Sequence, residues 1–387
     1  MKVLLLGAGL QGKAALLDLV AHSGAQITVA DANPASLAAV TAGLDAARVT
    51  AVPLDATNET DLANRVAGAD VVIDLLPTPF HDAVAGTAVA GKSHYVNASY
   101  ATPAMAAMSA EAAAQGVTLL PEFGLDPGID LVLAGQMLAE LDEIHEFHSY
   151  GAGIPEPAAA DNPIRYKISW TFDGVLKAYR REAEWVRDGR SHTIPGSDIF
   201  APAYMHLIEV EGLGELEAYP NGRVSPFLQK MGIAGAIQHA GRYSARWPGH
   251  TAFWGKLSAL GLLDEAPVLV DGTAVIPRHF LRELLAPRLQ YAAGERDVAF
   301  IRLDARGVKD GRARRVVYDV VDVRDLDSGL LAMQRTVGFT ASIGAQMLLN
   351  GDIGKRGLLS PITDVPAAQV LAELEKRGIL VKKTVNS

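Results

Sequence analysis

The sequence predicts an α/β fold whose N-terminal part is a doubly wound parallel sheet and whose central part carries a mixed or antiparallel sheet. Through residue 121, short apolar strand-like runs alternate with helical segments, as in a parallel sheet covered by helices on both faces. From about residue 131 to 335 this alternation is lost, and the separated strand-like runs 299–303 and 315–321 suit an antiparallel or mixed sheet. The polar, basic stretch 306–314 between them indicates a solvated hairpin loop.

The composition excludes several classes of protein. The 387 residues are 49% apolar and 20% charged, which is enough for real cores in two to three domains. The net charge of −9 argues against broad contact with a nucleic-acid backbone, and no apolar run approaches the roughly 18 residues of a membrane span. The absence of cysteine excludes disulfides, a thiolate nucleophile and Cys-ligated metals. We expect a cytoplasmic protein that contacts neither nucleic acid nor membrane and needs no metal.

Six strands with intervening helices define the N-terminal sheet. Ligands of such sheets bind beyond the carboxyl ends of the strands. We therefore expect residues 76–77, 97–100 and 122–130, which follow the fourth, fifth and sixth strands, to surround the reacting end of a ligand. The pattern predicts strands at 2–6, 27–30, 49–54, 70–76, 93–97 and 117–121, and helices at 13–22, 58–67, 103–115 and 128–141.

A glycine fingerprint follows the first strand. Its first glycine permits a tight turn, its second lets the backbone approach a pyrophosphate, and its third lets helix and strand pack closely. Strand, glycines, helix, strand and acidic residue come in the order of a dinucleotide-binding Rossmann fold; the alternative is a glycine-rich turn that binds nothing. The residues that we expect to hold the phosphates are Gly7, Gly9, Leu10, Gln11 and Gly12.

Asp31 predicts which dinucleotide binds. It lies 19 residues beyond Gly12, at the end of the second strand, where a carboxylate can accept hydrogen bonds from both hydroxyls of the adenosine ribose. A 2′-phosphate beside this carboxylate would be repelled, and no arginine follows at 32–34. The sequence therefore favours NAD over NADP.

Further cofactor contacts are expected at the ends of three strands. Asp55 and Ala56 follow the third strand and either meet the adenine or, in the case of Asp55, cap the next helix. Leu76, Pro77 and Asn97 follow the fourth and fifth strands, on the nicotinamide side.

Five motifs are spread along nearly the whole chain: Asn-Ala-Ser-Tyr at 97–100, Gly-Leu-Asp-Pro-Gly-Ile-Asp at 124–130, Asn-Pro-Ile-Arg-Tyr-Lys-Ile-Ser-Trp at 162–170, Tyr-Pro-Asn-Gly-Arg at 219–223 and Thr-Val-Gly-Phe at 336–339. Together they resemble the saccharopine dehydrogenase (glutamate-forming, or saccharopine reductase) family, with lysine 6-dehydrogenase and carboxynorspermidine dehydrogenase as close relatives. The resemblance implies a substrate-binding and dimerisation domain at 131–335 inserted after an NAD-binding domain at 1–130. A segment at 336–387, with a helix at 341–349, would return to the first domain, and the central sheet would support a homodimer. The fungal enzymes use NADP and carry a basic residue after the second strand, where this chain has Asp31.

The resemblance implies an amino-acid substrate that is oxidised at a carbon bearing a secondary amine. Hydride passes to NAD, water adds to the imine, and glutamate and 2-aminoadipate semialdehyde result. Ser99 and Tyr100 are candidate donors to the substrate, although Ser99 can instead cap the helix that starts near Pro103. Asp126 is a candidate to hold the substrate ammonium or accept its proton, the alternative being a cap for the next helix, whose first turn Asp130 can also serve.

Three basic side chains complete the candidates. Arg223 suits bidentate binding of a substrate carboxylate, or else is a surface arginine in a turn. His81, just past the fourth strand, can relay protons as a neutral imidazole or simply pack locally. Lys167 can tune proton transfer if it is desolvated, whereas a solvated lysine would not.

Other functions stay open at the level of sequence. Lysine 6-dehydrogenase would need fewer carboxylate anchors than an enzyme for saccharopine, which carries three carboxylates. A polyamine-type amine dehydrogenase is a further alternative. A scaffold that binds NAD without turnover is another class, since a fold does not guarantee chemistry.

Overall fold

The computed structural model describes residues 1–386, which divide into two compact units. Unit 1 comprises residues 1–136 and 334–379, and unit 2 comprises residues 137–333 together with 380–386.

Unit 1 contains the predicted alternation of strands and helices. The strands are β1 (Lys2–Leu6), β2 (Gln26–Asp31), β3 (Val49–Pro53), β4 (Val71–Asp74), β5 (His94–Asn97) and β6 (Thr118–Leu120). The helices are α1 (Leu10–His22), α2 (Pro34–Thr41), α3 (Glu59–Val66), α4 (His81–Ala90), α5 (Pro103–Ala107), α6 (Ser109–Ala114) and α7 (Ile129–Glu140), the last of which crosses the unit boundary.

Unit 2 is built on a large mixed sheet. The strands are β7 (Glu143–Pro155), β8 (Ala183–Arg187), β9 (Arg190–Ile194), β10 (His206–Val210), β11 (Gly214–Pro220), β12 (His239–Arg246), β13 (Val268–Val270), β14 (Thr273–Val275), β15 (Asp297–Lys309) and β16 (Arg312–Val323). The helices are α8 (Phe172–Ala178), α9 (Ser225–Met231), α10 (His250–Ala259) and α11 (Pro277–Leu285).

The C-terminal part of the chain contributes to both sheets. It contains α12 (Ala332–Asn350), β17 (Gly357–Leu358), α13 (Ala367–Lys376) and β18 (Val381–Asn386). The strand order in unit 1 is β17-β6-β5-β4-β1-β2-β3, with every pair parallel. In unit 2 the main path is β10-β11-β12-β7-β15-β16-β18, with β8 attached to β12 and β9 attached to β8, while β13 and β14 form a separate two-stranded sheet. The β12–β7 pair is parallel and the other pairs of this sheet are antiparallel, so the predicted fold class is confirmed.

Three sequence-based boundaries differ from the structure. The segment after residue 336 does not return to unit 1 as a whole, because β18 pairs with β16 in the sheet of unit 2. Residues 103–115 form two short helices, α5 and α6, rather than one. The helix expected at 341–349 starts at Ala332, where the buried carboxylate of Asp297 accepts hydrogen bonds from the backbone N–H groups of Ala332 and Met333.

The hairpin predicted at 306–314 is confirmed, but the predicted length of its loop was wrong. β15 and β16 pair continuously up to Lys309 and Arg312, and only Asp310 and Gly311, both at positive φ, form the turn. Basic residues of the two strands reach acidic partners: Lys309 Nζ lies 2.7 Å from Asp142 Oδ1, and Arg315 binds Asp304 with two nitrogen atoms. Because these charges are paired, a basic run here is compatible with strands.

A buried ion pair fastens the returning chain within unit 1. Arg377, which follows α13, contacts Asp18 of α1 through Nε at 2.5 Å, and both side chains are almost fully buried. Gly338 allows α12 to pack closely on α1, since a Cβ there would lie 2.6 Å from the carbonyl oxygen of Gln11. The Thr-Val-Gly-Phe motif is therefore explained by helix packing. No helix in the described part of the chain is long and apolar enough to cross a membrane.

His148 predicts a pH dependence of stability. It lies on β7, and burial lowers the pKa of its imidazole from 6.5 to about 4. The unfolded chain takes up this proton near pH 6.5 while the native state does not. We therefore expect the free energy of unfolding to fall by up to about 3 kcal/mol between pH 6.5 and pH 4 from this group alone. Denaturant titrations at each pH give the free energy of unfolding, and its dependence on pH should differ between wild type and His148→Gln over this range. The control is His279→Gln, at an exposed position, for which we expect the same pH dependence as in wild type. The same pH dependence in His148→Gln and wild type would contradict the prediction.

Candidate functional site

The glycine turn between β1 and α1 has the shape that a pyrophosphate requires. A Cβ at Gly12 would lie 1.9 Å from the carbonyl oxygen of Gly7, and one at Gly7, whose φ is +98°, would lie 2.8 Å from that of Leu75. By contrast, a Cβ at Gly9 would meet nothing within 4 Å, so the space beside the helix start is open. α1 begins at Leu10 without a side-chain cap, which leaves its first N–H groups to an anion. The residues present therefore fit a dinucleotide phosphate.

Two side chains in the first turn of α1 differ in exposure. Leu10 is half exposed. The Oε1 atom of Gln11 is buried and has no hydrogen-bond partner in the described part of the chain.

The carboxylate of Asp31 is fixed at the end of β2. Its Oδ2 accepts a hydrogen bond from the N–H of Ala8 at 2.7 Å, and its Oδ1 accepts one from the N–H of Asn33 at 2.7 Å. Each oxygen keeps acceptor capacity for a ribose hydroxyl. Asn33 caps α2, and residues 32–36 contain neither arginine nor lysine. The end of β2, beside the glycine turn, therefore carries an acidic group, and the following residues 32–36 carry no cation.

Asp55 does not cap a helix. Asn58 caps α3, while Asp55 accepts hydrogen bonds from the N–H and hydroxyl of Thr57, which lower the pKa of its carboxyl. Of the two interpretations of Asp55, the helix cap was wrong, and the contact between adenine and Asp55 or Ala56 stays a prediction.

Asn97 is fully buried at the end of β5. Its Oδ1 accepts the N–H of Ser99 at 3.0 Å, and its Nδ2 donates to the hydroxyl of Tyr95 at 2.7 Å. Ser99 caps no helix, because Thr102 accepts the N–H of Met105 at the start of α5. Ser99 is thus positioned at the carboxyl edge of the sheet by the side chain of Asn97.

Tyr100 and Asp126 meet at the same edge. The Tyr100 hydroxyl donates to Oδ1 of Asp126 at 3.2 Å. Asp130 serves the start of α7, accepting the N–H of Gly128 at 2.7 Å, as the sequence suggested it could. The turn 124–128 is closed on itself, since a Cβ at Gly128 would lie 2.0 Å from the Gly124 carbonyl oxygen. A phenol from the loop after β5 and a carboxylate from a constrained turn therefore lie together.

His81 occupies the first turn of α4 and is buried. Its Nε2 lies 2.8 Å from the carbonyl oxygen of Leu76, an acceptor, so Nε2 carries a proton. Its Nδ1 is buried and has no partner among residues 1–386. This hydrogen bond fixes the carbonyl group of Leu76, the residue before Pro77. A role of His81 in proton relay stays a prediction.

Within unit 2, Arg223 is paired but reachable. Its Nε donates to Oε2 of Glu184 at 3.1 Å, and its side chain is 62% exposed. Glu184 is buried; burial opposes its ionisation, but hydrogen bonds from Ser191, Ser225 and Arg223 lower the pKa of its carboxyl overall. The guanidinium of Arg223 is thereby oriented by the buried carboxylate of Glu184, while most of the Arg223 side chain faces solvent.

Lys167 is not the solvated lysine considered from the sequence. Its Nζ is buried, donates to Glu295 and lies 3.1 Å from Asp161. Burial alone would lower the pKa of the ammonium, but these two carboxylates raise it above its usual value. The residue is therefore charged and already paired.

Two family models cover nearly the whole chain. Residues 3–120 match the model described as "Saccharopine dehydrogenase NADP binding domain", and residues 124–379 match "Saccharopine dehydrogenase C-terminal domain". The chain belongs to the saccharopine dehydrogenase family. It is accordingly an oxidoreductase of this family and contains a nicotinamide dinucleotide-binding domain.

Individual relatives agree with this membership. The Saccharomyces cerevisiae saccharopine dehydrogenase [NADP(+), L-glutamate-forming] is 29% identical and covers 99% of both chains. The bovine mitochondrial alpha-aminoadipic semialdehyde synthase is 28% identical, over 83% of this chain and 41% of its own length. A solved structure of the apo L-Glu-forming enzyme from Saccharomyces cerevisiae covers 100% of both chains with 26% identity and a TM-score of 0.88. The family resemblance seen in the sequence is thus confirmed.

Sequence reasoning about this saccharopine dehydrogenase family member missed two buried polar residues in unit 1. They are Asp74 and Tyr95, which contact the residues around Asn97. The signal available was an acidic or phenolic residue inside an otherwise apolar strand, since such groups are rarely buried without partners.

Proposed function

We propose that this chain oxidises the secondary amine of saccharopine with NAD, giving L-glutamate and 2-aminoadipate semialdehyde. Membership in the saccharopine dehydrogenase family supports the reaction class, and two of the relatives carry this L-glutamate-forming activity in their names. The observation that carries the choice of NAD is the carboxylate of Asp31, fixed at the end of β2 beside the glycine turn.

The residues that would hold NAD follow from the geometry of unit 1. The amides at the start of α1 would bind the pyrophosphate, Asp31 the adenosine ribose, and Asp55 and Ala56 the adenine side. The loops at Leu76-Pro77 and Asn97 would flank the nicotinamide. NAD, when bound, accepts a hydride from the substrate carbon that bears the amine.

Asp126 and Tyr100 would handle the substrate amine. Oxidation needs the amine to be neutral at the moment of hydride loss, so a nearby carboxylate must accept its proton. The hydrogen bond from Tyr100 orients the carboxylate of Asp126. Ser99, on the same edge, would donate to a substrate carboxylate or amine, and water then adds to the imine carbon.

Arg223 would anchor a substrate carboxylate, since its guanidinium is held through Nε and otherwise largely exposed. Lys167 has two carboxylate partners, so we propose that it supports the surrounding loops rather than the substrate directly.

Arg223→Ala is expected to raise KM for saccharopine about 10- to 100-fold, because a hydrogen bond to a charged group contributes roughly 1.5–3 kcal/mol. Steady-state kinetics with saturating NAD measure this change. Arg181→Ala is the matched control, since Arg181 lies nearby and donates to Asn221. A rise in KM below about threefold would remove Arg223 from the site.

The cofactor is tested with the wild-type enzyme. Saccharopine oxidation is followed at the reduced-nicotinamide absorbance band, with NAD or NADP varied separately. The proposal expects kcat/KM to be higher with NAD. Equal or higher efficiency with NADP would contradict the role given to Asp31.

Lysine 6-dehydrogenase activity and a scaffold without turnover are the alternatives. Lysine oxidation would release ammonia and no glutamate, so product analysis separates it from the main proposal. Failure to reduce NAD with any amine would favour the scaffold. We also propose a homodimer supported by the sheet of unit 2, which light scattering of the purified protein would test.

A further inference from the structure

We propose that Asp74, Tyr95 and Asn97 form a buried positioning relay that fixes the loops after β4 and β5 and thereby sets binding at the nicotinamide end of the cofactor. This inference rests on the dinucleotide site of the proposed function. It concerns which side chains keep the loops of that site in position. It assigns a role to Asp74 and Tyr95, two residues to which the proposed function gives no contact with substrate or cofactor.

The relay is an unbroken chain of hydrogen bonds. The N–H of Leu76 donates to Oδ1 of Asp74 at 3.1 Å, and the Tyr95 hydroxyl donates to Oδ2 of Asp74 at 2.9 Å. Asn97 Nδ2 donates to the oxygen of Tyr95 at 2.7 Å, and the N–H of Ser99 donates to Oδ1 of Asn97 at 3.0 Å. One backbone amide of each loop is therefore attached to the same set of side chains.

Strand register places the three side chains together. β4 and β5 are neighbours, with Asp74 opposite Asn97 and Val72 opposite Tyr95. Tyr95 and Asn97 are two residues apart, so they share one face of the sheet with Asp74. The arrangement is thus built into the sheet rather than into the loops.

Burial makes the relay stiff. Asp74, Tyr95 and Asn97 are each at most 1% exposed, so water cannot replace a broken bond. A buried donor or acceptor without a partner loses its full solvation energy, and each member therefore holds the next. His81 adds a second constraint, because its Nε2 holds the carbonyl oxygen of Leu76.

The relay lies away from the adenosine end of the proposed site. In the sheet order, β1 separates β4 from β2, which carries Asp31. Loss of the relay should therefore weaken contacts of the nicotinamide ring while leaving the adenosine contacts intact. A general loss of structure would weaken both.

Two ligands separate these effects. NADH carries the nicotinamide, whereas ADP-ribose has the same adenosine and pyrophosphate without it. We expect Tyr95→Phe to raise the Kd of NADH about tenfold and to change the Kd of ADP-ribose by less than about twofold. Fluorescence titration with NADH, and competition by ADP-ribose, measure both.

Ser93→Ala is the matched control. Ser93 lies just before β5 at the opposite edge of the sheet, where its buried hydroxyl donates to the carbonyl oxygens of Val66 and Ala69. It loses buried hydrogen bonds without touching the relay, so both Kd values should stay within about twofold of wild type.

Equal weakening of NADH and ADP-ribose by Tyr95→Phe, or no change in either, would overturn the inference. If Tyr95→Phe does not fold, Asp74→Asn, which keeps the shape of the side chain, must show the same selective loss. These binding measurements do not depend on turnover. If wild type fails to oxidise saccharopine, the proposed reaction is wrong while the relay is still judged by the two Kd values.

Discussion

Asp126→Asn is expected to lower kcat for saccharopine oxidation by about 10²- to 10⁴-fold, the range that a positioned general base contributes. The amide keeps the size of the carboxylate and can still accept the hydrogen bond from Tyr100, but it cannot take the proton of the substrate amine. The measurement is kcat with saturating NAD and saccharopine at alkaline pH.

Two controls separate chemistry from positioning at Asp126. Tyr100→Phe removes only the hydrogen bond to the carboxylate, so a smaller loss of kcat, about tenfold, is expected. The Kd of NADH should be unchanged in Asp126→Asn if the turn is intact. A loss of kcat below about threefold would show that Asp126 is not the proton acceptor.

Asp31→Ser is expected to lower the ratio of kcat/KM for NAD to that for NADP by about 10²-fold. In wild type the fixed carboxylate opposes a 2′-phosphate, and juxtaposed like charges at an interface cost several kcal/mol. Serine removes that repulsion and also one partner of the ribose hydroxyls, so efficiency with NAD should fall while that with NADP rises. Kinetics with each cofactor at saturating saccharopine give the ratio.

Asp55→Asn is the matched control for cofactor choice. Asp55 lies at the end of β3, next to β2 in the sheet, and its carboxylate is engaged with Thr57. Changing it should alter NAD and NADP alike, with no change in their ratio. An unchanged ratio in Asp31→Ser would mean that another group excludes the 2′-phosphate.

The proposed use of NAD is the point at which this chain would differ from its named fungal relatives. The fungal enzymes carry NADP(+) in their names, as does the family model that matches residues 3–120. In this chain the loop after β2 offers Asp31 and no cation through residue 36. The two kinetic experiments on Asp31 and wild type therefore bear directly on whether this departure has a functional consequence.

The nucleotide-binding half was predictable because its signals are local. The glycines, the buried strands and Asp31 lie within the first 31 residues, and each spacing has one geometric meaning. Ser99, Tyr100 and Asp126 were placed correctly at one edge because the carboxyl ends of parallel strands share that edge.

Long-range pairing accounts for most of what sequence reasoning missed. The buried Lys167 donates a hydrogen bond to Glu295, which lies 128 residues further along the chain. The sequence around a lysine does not indicate such a distant partner. The basic run at 306–314 forms strands because acidic partners such as Asp142 and Asp304 lie on neighbouring segments. The strand β18 pairs with β16 in unit 2, and the short, polar sequence of residues 381–386 gives no indication of this pairing.

The most direct test of the central claim is the stoichiometry of products. Purified wild-type protein is incubated with NAD and saccharopine at alkaline pH, and NADH, glutamate and ammonia are measured in the same sample. The proposal predicts one glutamate for each NADH and no ammonia. NADH formation from lysine with release of ammonia, and none from saccharopine, would contradict it.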